Sequence, residues 1–122
     1  MESKQIDELI EKQRRFYQSG ATIPIDFRIR QLKKLYFAVK KHEDDIQKAL
    51  CADLGKSGFE GFMCEVGLAQ SEISYMIRHT KQLSRKRTVA TPLAQFASHS
   101  YIQPVPHGNT LIMSPWNYPF LL

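Results

Sequence analysis

Apolar residues recur at helical spacing as far as Leu83 and then lose that period. Ile6, Leu9, Ile10, Phe16 and Tyr17 share one face and predict a first helix, with Ser3 placed to cap it. Glu2, Asp7 and Glu8 lie near its start and Arg14 and Arg15 near its end, each on the side the helix dipole favours. Gly20 is the expected stop. A second helix is expected near Pro24, which suits a first-turn position, with a stripe of Ile25, Ile29, Leu32, Leu35, Tyr36 and Val39. The polar stretch from His42 to Asp45 marks a break, and Glu43, Asp44 and Asp45 suit a new helical start that Leu54 and Gly55 end. Ser57 and Glu60 then stand in the S-x-x-E relation of a capping box. The stripe of Phe59, Phe62, Met63, Val66, Ala69, Ile73, Met76 and Ile77 continues that helix to about Leu83, and reads as core.

Beyond Arg87 the texture changes. Thr88 to Ser98 has no helical period and reads as a connecting loop. Ser100 to Val105 alternates as an extended strand would, Pro106 to Asn109 is a turn, and Thr110 to Met113 is a second short strand ended by Ser114 and Pro115. The segment is thus expected to be mainly α-helical, three to four helices followed by two β-strands. A lone strand pair is marginal in water unless it packs on something. The closing apolar run from Tyr118 to Leu122 has no polar tail, and predicts that the chain was cut within a larger structure.

Composition changes this picture little. The chain has 122 residues, 43% hydrophobic and 24% charged, which is ordinary for one globular unit and argues against wholesale disorder. The net charge of +5 is carried largely by residues on helical faces, such as Arg28, Arg30, Lys33, Lys34, Lys40 and Lys41, and reads as a solvated surface. Arg85-Lys86-Arg87 is the best phosphate-seeking run, but it lacks interleaved aromatics, and nucleic-acid binding ranks last among the readings. Cys51 and Cys64 have no metal-binding spacing, and His42, His79, His99 and His107 are scattered, so free thiols in a reducing compartment and no metal site are expected. No run approaches the roughly 20 apolar residues that span a bilayer, and the polar N-terminus is no secretory signal, so a soluble cytoplasmic protein is expected.

Chemistry concentrates at Pro115-Trp116-Asn117-Tyr118-Pro119. A strand ends at Met113, a proline-flanked turn follows, and Pro119 favours a first helical turn. Such a junction lies at the carboxyl edge of a sheet, where open α/β folds bind ligands. Asn117 brings two N–H donors without charge, and a rigidly held donor can stabilise a developing oxyanion. Equally, an asparagine here can simply cap the following turn.

The run from Asn109 to Phe120 resembles the aldehyde dehydrogenase superfamily, whose strand-turn element carries P-W-N-[FY]-P. The tyrosine version and the short N-terminus are most like the class 3 or fatty aldehyde dehydrogenase branch. Asp53 to Ser57 resembles that family's D-[FL]-x-K-[SP] step between helices. Arg28, Leu32, Leu35, Ile46, Ala49 and Leu50 are similar to its helical stripe, and Tyr101 to Gly108 to the strand entering its P-x-G turn. The resemblance covers essentially the whole chain. It implies an α/β parent fold with a Rossmann-type cofactor domain. Residues 1–97 would be its N-terminal helical part, 98–107 a strand of an oligomerisation hairpin, and 108–122 the first strand-turn of the catalytic core. It further implies Asn117 as the oxyanion donor, Ser114, Pro115 and Trp116 on the nicotinamide side of an NAD or NADP site, and Tyr118 lining the substrate region or packing in the core. His99 to Pro104 would make homodimer contacts.

The departures narrow this. The family's nucleophilic cysteine, its glycine-bearing cofactor motif and its general-base glutamate have no counterpart here; Cys51 and Cys64 read as structural thiols, and Glu60, Glu65 and Glu72 as helix-surface charges. The activity implied for a parent protein is NAD(P)-dependent oxidation of an aldehyde to a carboxylic acid. Thiolate attack, oxyanion stabilisation, hydride transfer and glutamate-assisted release follow one another, and the segment alone is expected to be inactive. The alternative is a non-catalytic helical module that pairs through the strand at 101–104.

Overall fold

Local chemistry sets the helix boundaries in the computed structural model, which describes residues 3–122. Helix α1 runs Ser3–Gln18, with Arg15 in its last turn, and Gly20 follows at φ 73°. Glu2 and the Ser3 side chain lie outside the described residues, so the expected cap is not described. Helix α2 spans Ile25–Lys41. Pro24 stands one position before it, extended at ψ 129°, rather than inside the first turn; its carbonyl accepts from Arg28 N at 3.3 Å. His42, at φ −104°, breaks α2 from α3 (Glu43–Leu54), whose first turn holds Glu43, Asp44 and Asp45 as expected. Gly55 closes α3 in the left-handed conformation, at φ 67°, with its N–H on the Cys51 carbonyl.

The next helix comes in three pieces that run on with right-handed geometry. They are α4 (Gly58–Gly61), a π turn (Phe62–Val66) and α5 (Gly67–Leu83). Ser57 Oγ accepts from Glu60 N at 3.1 Å, so the serine half of the capping box forms. In the π turn Gly67 N–H reaches the Phe62 carbonyl, five residues back. That extra residue turns both Glu65 and Val66 wholly inward.

Helix α2 packs chiefly on α5, and α3 on α4 and the π turn. Val39, Leu50 and Val66 are the buried apolar residues among those described. The surface is 10108 Å², whereas a folded monomer of this length exposes roughly 6,700 Å². The core is therefore thin, and many large apolar side chains face outward. No described helix is long and apolar enough to cross a membrane.

The strands differ from expectation. Strand β1 is Arg87–Val89, overlapping the start of the stretch read as loop, and pairs antiparallel with β2 (Ser100–Ile102), Thr88 opposite Tyr101. Strand β2 stops short of Val105 because Pro104 and Pro106 have no N–H to offer a ladder. Thr110 to Met113 forms no strand; Leu111, Ile112 and Met113 are each about four-fifths exposed or more, with no neighbouring strand among the described residues. An apolar run of this kind needs partners on both sides to become a sheet strand.

Candidate functional site

Between Gln103 and Asn117 no backbone–backbone hydrogen bond forms among the described residues, so side-chain hydrogen bonds between the segment and α1 hold it. Tyr17 donates to the Pro106 carbonyl at 3.0 Å, and Asn109 Nδ2 donates to the Ile10 carbonyl, the last of α1's second turn, at 3.1 Å. Gly108 lies between them at φ 92°, with the Tyr17 ring 3.5 Å from where a Cβ would stand, so both backbone angle and space favour glycine. Ser114 Oγ donates to the Leu122 carbonyl, and Leu122 N–H returns to the Tyr118 carbonyl at 3.2 Å. The second bond is one helical turn opening at Pro119, as the proline predicts.

The open N–H groups of that turn are met by a glutamate from another helix. Glu65 Oε2 accepts from Phe120 N at 2.8 Å and from Leu121 N at 3.3 Å. A helical turn leaves its first N–H groups unpaired and partly positive, so a carboxylate is the natural acceptor. The other oxygen of Glu65 accepts from Lys56 Nζ. Lys56 also donates to the backbone carbonyl of Asn117 at 2.9 Å and sits 4.4 Å from the centre of the Tyr118 ring. Both side chains are enclosed, Lys56 9% and Glu65 0% exposed.

Burial alone would push the Glu65 carboxyl up. The Lys56 hydrogen bond and the Phe120 and Leu121 N–H groups outweigh it, and the net shift is downward. The hydrogen bond to Glu65 holds the Lys56 ammonium above the ordinary lysine value, against desolvation. Both groups are therefore charged at neutral pH. Glu65 is thus corrected from a helix-surface charge to a buried tie between the π turn and residues 117–121. The sequence offered no local sign of it.

The five residues singled out by sequence fall on one short, outward-facing stretch. Ser114, Pro115, Trp116 and Asn117 are exposed, Trp116 to 88%. The Asn117 side-chain amide makes no hydrogen bond among the described residues, and the turn behind it is capped by Glu65 instead. The capping role considered for Asn117 is therefore filled by another residue. Tyr118 is 36% exposed, with one face against Lys56, and so combines packing with an open edge. Cys51 is exposed on α3 and Cys64 half-buried in the π turn. No group of acidic, histidine or cysteine residues that could hold a metal exists among those described.

A separate open groove of about 920 Å³ lies between α1, α2, the end of α5 and residues 106–110. Its most reactive-looking member, Arg28, is engaged at all three nitrogens: Nε and Nη2 donate to the Thr22 and Ile23 carbonyls at 2.8 and 2.7 Å, and Nη1 to Ser84 Oγ at 3.2 Å. The guanidinium ties the α1–α2 connection to the end of α5.

Known proteins share this fold. The model of the aldehyde dehydrogenase family matches residues 1–122. The chain is 41% identical over 107 residues to the 4,4'-diaponeurosporen-aldehyde dehydrogenase of Staphylococcus aureus, covering 88% of this chain and 23% of that protein. It is 39% identical over 116 residues to the dimeric NADP-preferring aldehyde dehydrogenase of Canis lupus familiaris, covering 94% and 25%. A solved structure described as the substrate-bound state of Staphylococcus aureus AldH superposes with a TM-score of 0.91 at 38% identity, over 94% of this chain and 25% of that one. The chain thus spans about a quarter of the length of the relatives it matches. On sequence and fold together, the chain belongs to the aldehyde dehydrogenase family.

Proposed function

We propose that residues 114–118 form one wall of the active site of an NAD(P)-dependent aldehyde dehydrogenase, which oxidises an aldehyde to a carboxylic acid, with Asn117 as an oxyanion donor. The observation that carries this is the pairing of a pinned backbone with a free side chain: the Asn117 carbonyl is bonded by Lys56, while its amide N–H groups face outward unpaired among the described residues. An uncharged donor fixed in this way stabilises negative charge as it develops on a carbonyl oxygen, because little reorganisation is needed at the moment of reaction.

The cofactor wall fits in part. Ser114, Pro115 and Trp116 offer an exposed backbone without hydrogen bonds to other backbone groups and a broad aromatic surface, which suit the flank of a nicotinamide ring. When bound, the nicotinamide supplies the hydride acceptor. No helix-opening glycine cluster that cradles a pyrophosphate lies in these 122 residues, and the resemblance would place Ser114 to Trp116 on the ring and ribose side. Tyr118, with one edge open, is proposed to line the substrate region. Neither Cys51 nor Cys64 is read as the nucleophile: each stands on a helical element, and neither lies in a context that matches the family's nucleophile segment. Strand β2 supports a role in pairing with a second copy, since Tyr101 and Ile102 are about half exposed on a sheet of only two strands. The relative from Canis lupus familiaris is named as dimeric.

The test is Asn117→Ala in the complete product of the gene that encodes this chain. Cofactor reduction followed by absorbance should show kcat lowered about 10²- to 10³-fold, with the aldehyde KM little changed and folding intact. An unaltered kcat would overturn the oxyanion assignment.

A further inference from the structure

Lys56 and Glu65 take no part in the aldehyde chemistry as proposed, yet they form the most enclosed ion pair among the described residues. Every hydrogen bond their side chains make, apart from the one between them, ends on residues 117–121. Lys56 comes from the link between α3 and α4, and Glu65 from the π turn. Neither is hydrogen-bonded to the 103–116 stretch, which is tied to α1 instead.

Stability alone is a poor account of such a pair. Taking both charges out of water is costly, and apolar residues of similar size often serve a core as well or better. What an ion pair adds is direction. Here it fixes two points of the same short turn, the Asn117 carbonyl on one side and the Phe120 and Leu121 N–H groups on the other. The intervening Tyr118 ring lies against the same ammonium. No backbone–backbone bond within residues 103–117 does this work. The π turn matters too: its extra residue is what brings Glu65 inward, and such turns are frequent at functional sites.

We propose that Lys56 and Glu65 are positioning residues that hold the Asn117 amide in its catalytic orientation by clamping the backbone on both sides of it. This inference rests on the oxyanion reading of Asn117. Because oxyanion stabilisation depends on donor geometry, a shift of about 1 Å in the Asn117 backbone is expected to cost on the order of 10²-fold in rate. The positioning effect acts on the rate through the Asn117 amide, so most of it must disappear when that amide is removed.

The experiment is a double-mutant cycle in the complete gene product, with Lys56→Met, Asn117→Ala and the pair together, reading kcat and the aldehyde KM. Lys56→Met is expected to lower kcat roughly 10- to 100-fold in the parent background and less than about threefold in the Asn117→Ala background. The aldehyde KM should move much less than kcat. If Lys56→Met fails to fold, Lys56→Met/Glu65→Leu, which leaves no uncompensated buried charge, is carried through the same cycle, with circular dichroism and cofactor binding as folding controls. Additive losses, with Lys56→Met equally harmful in both backgrounds, would overturn the positioning role while leaving Asn117 as the donor. An unchanged kcat in the Lys56 variant would overturn it as well. An unchanged kcat in Asn117→Ala alone would remove the oxyanion reading, and the clamp with it.

Discussion

Replacing Glu65 by leucine should free the turn at residues 118–122 without unfolding the helices. The carboxylate accepts from Phe120 N at 2.8 Å and from Leu121 N at 3.3 Å. A hydrogen bond to a charged acceptor contributes roughly 1.5–3 kcal/mol, so about 2 kcal/mol for the shorter bond and about 1 kcal/mol for the longer is a fair apportioning. Together that is about 3 kcal/mol of local stability, or a factor on the order of 10² in the opening equilibrium of the turn. The volume of leucine suits an enclosed site, so α4, the π turn and α5 keep their packing. Native-state hydrogen exchange read by mass spectrometry on a peptide covering residues 117–122 is the assay, with amides in the middle of α5 as the control. Protection at Phe120 and Leu121 should fall about 100-fold while the control changes little. Adding Lys56→Met removes the buried cation that Glu65→Leu leaves without its carboxylate, so global stability should not fall further even though the bond to the Asn117 carbonyl is lost. Protection that changes less than about threefold in Glu65→Leu, or a double variant clearly less stable than the single, would refute the account of the pair as a capped, charge-balanced tie.

The same pair sets a pH window. The Glu65 pKa is lowered in the fold, so its contribution is complete above the ordinary glutamate value, declines below it, and is gone once pH passes the lower folded value. The Lys56 pKa is raised, so its contribution is complete below the ordinary lysine value and is lost as pH rises through the higher folded one. Protection factors of the 117–122 peptide should therefore be flat between about pH 6 and pH 8, and a step inside that range would contradict the assignment. Separately, Gly55→Ala places a Cβ at φ 67° where nothing crowds it, so only backbone strain opposes it. A loss of about 1 kcal/mol in a denaturant titration is expected, and a neutral or stabilising result would be inconsistent with the left-handed cap.

Much of the helical frame was legible because its punctuation is local. His42 with the acidic run after it, Gly55 at the end of α3, and Ser57 three residues before Glu60 each carry their reason within a single turn of chain. The strands were less so. Thr88 and Val89 are β-branched, but β1 is three residues long, too short for alternation to show, and it pairs across a loop with Ser100 and Tyr101. The apolar run at 110–113 read as a strand for a sound reason, its composition, yet composition does not supply the neighbours a strand needs.

The site divides in the same way. Asn117 was legible because its chemistry and its setting, a proline-flanked turn, lie side by side in the chain. Glu65 was not, and two physical causes combine. A charged residue among apolar helix positions is normally on the surface, so the sound expectation was the wrong one. And the π turn shifts the helical phase by one residue, which no spacing rule anticipates. The contacts that give Glu65 its purpose span 55 and 56 residues, and that of Lys56 spans 61. Pattern reading thus finds the group that would do the chemistry more readily than the groups that hold it. The burial of Lys56 and Glu65 was therefore a property of the fold, found by asking where the N–H groups of one short turn go.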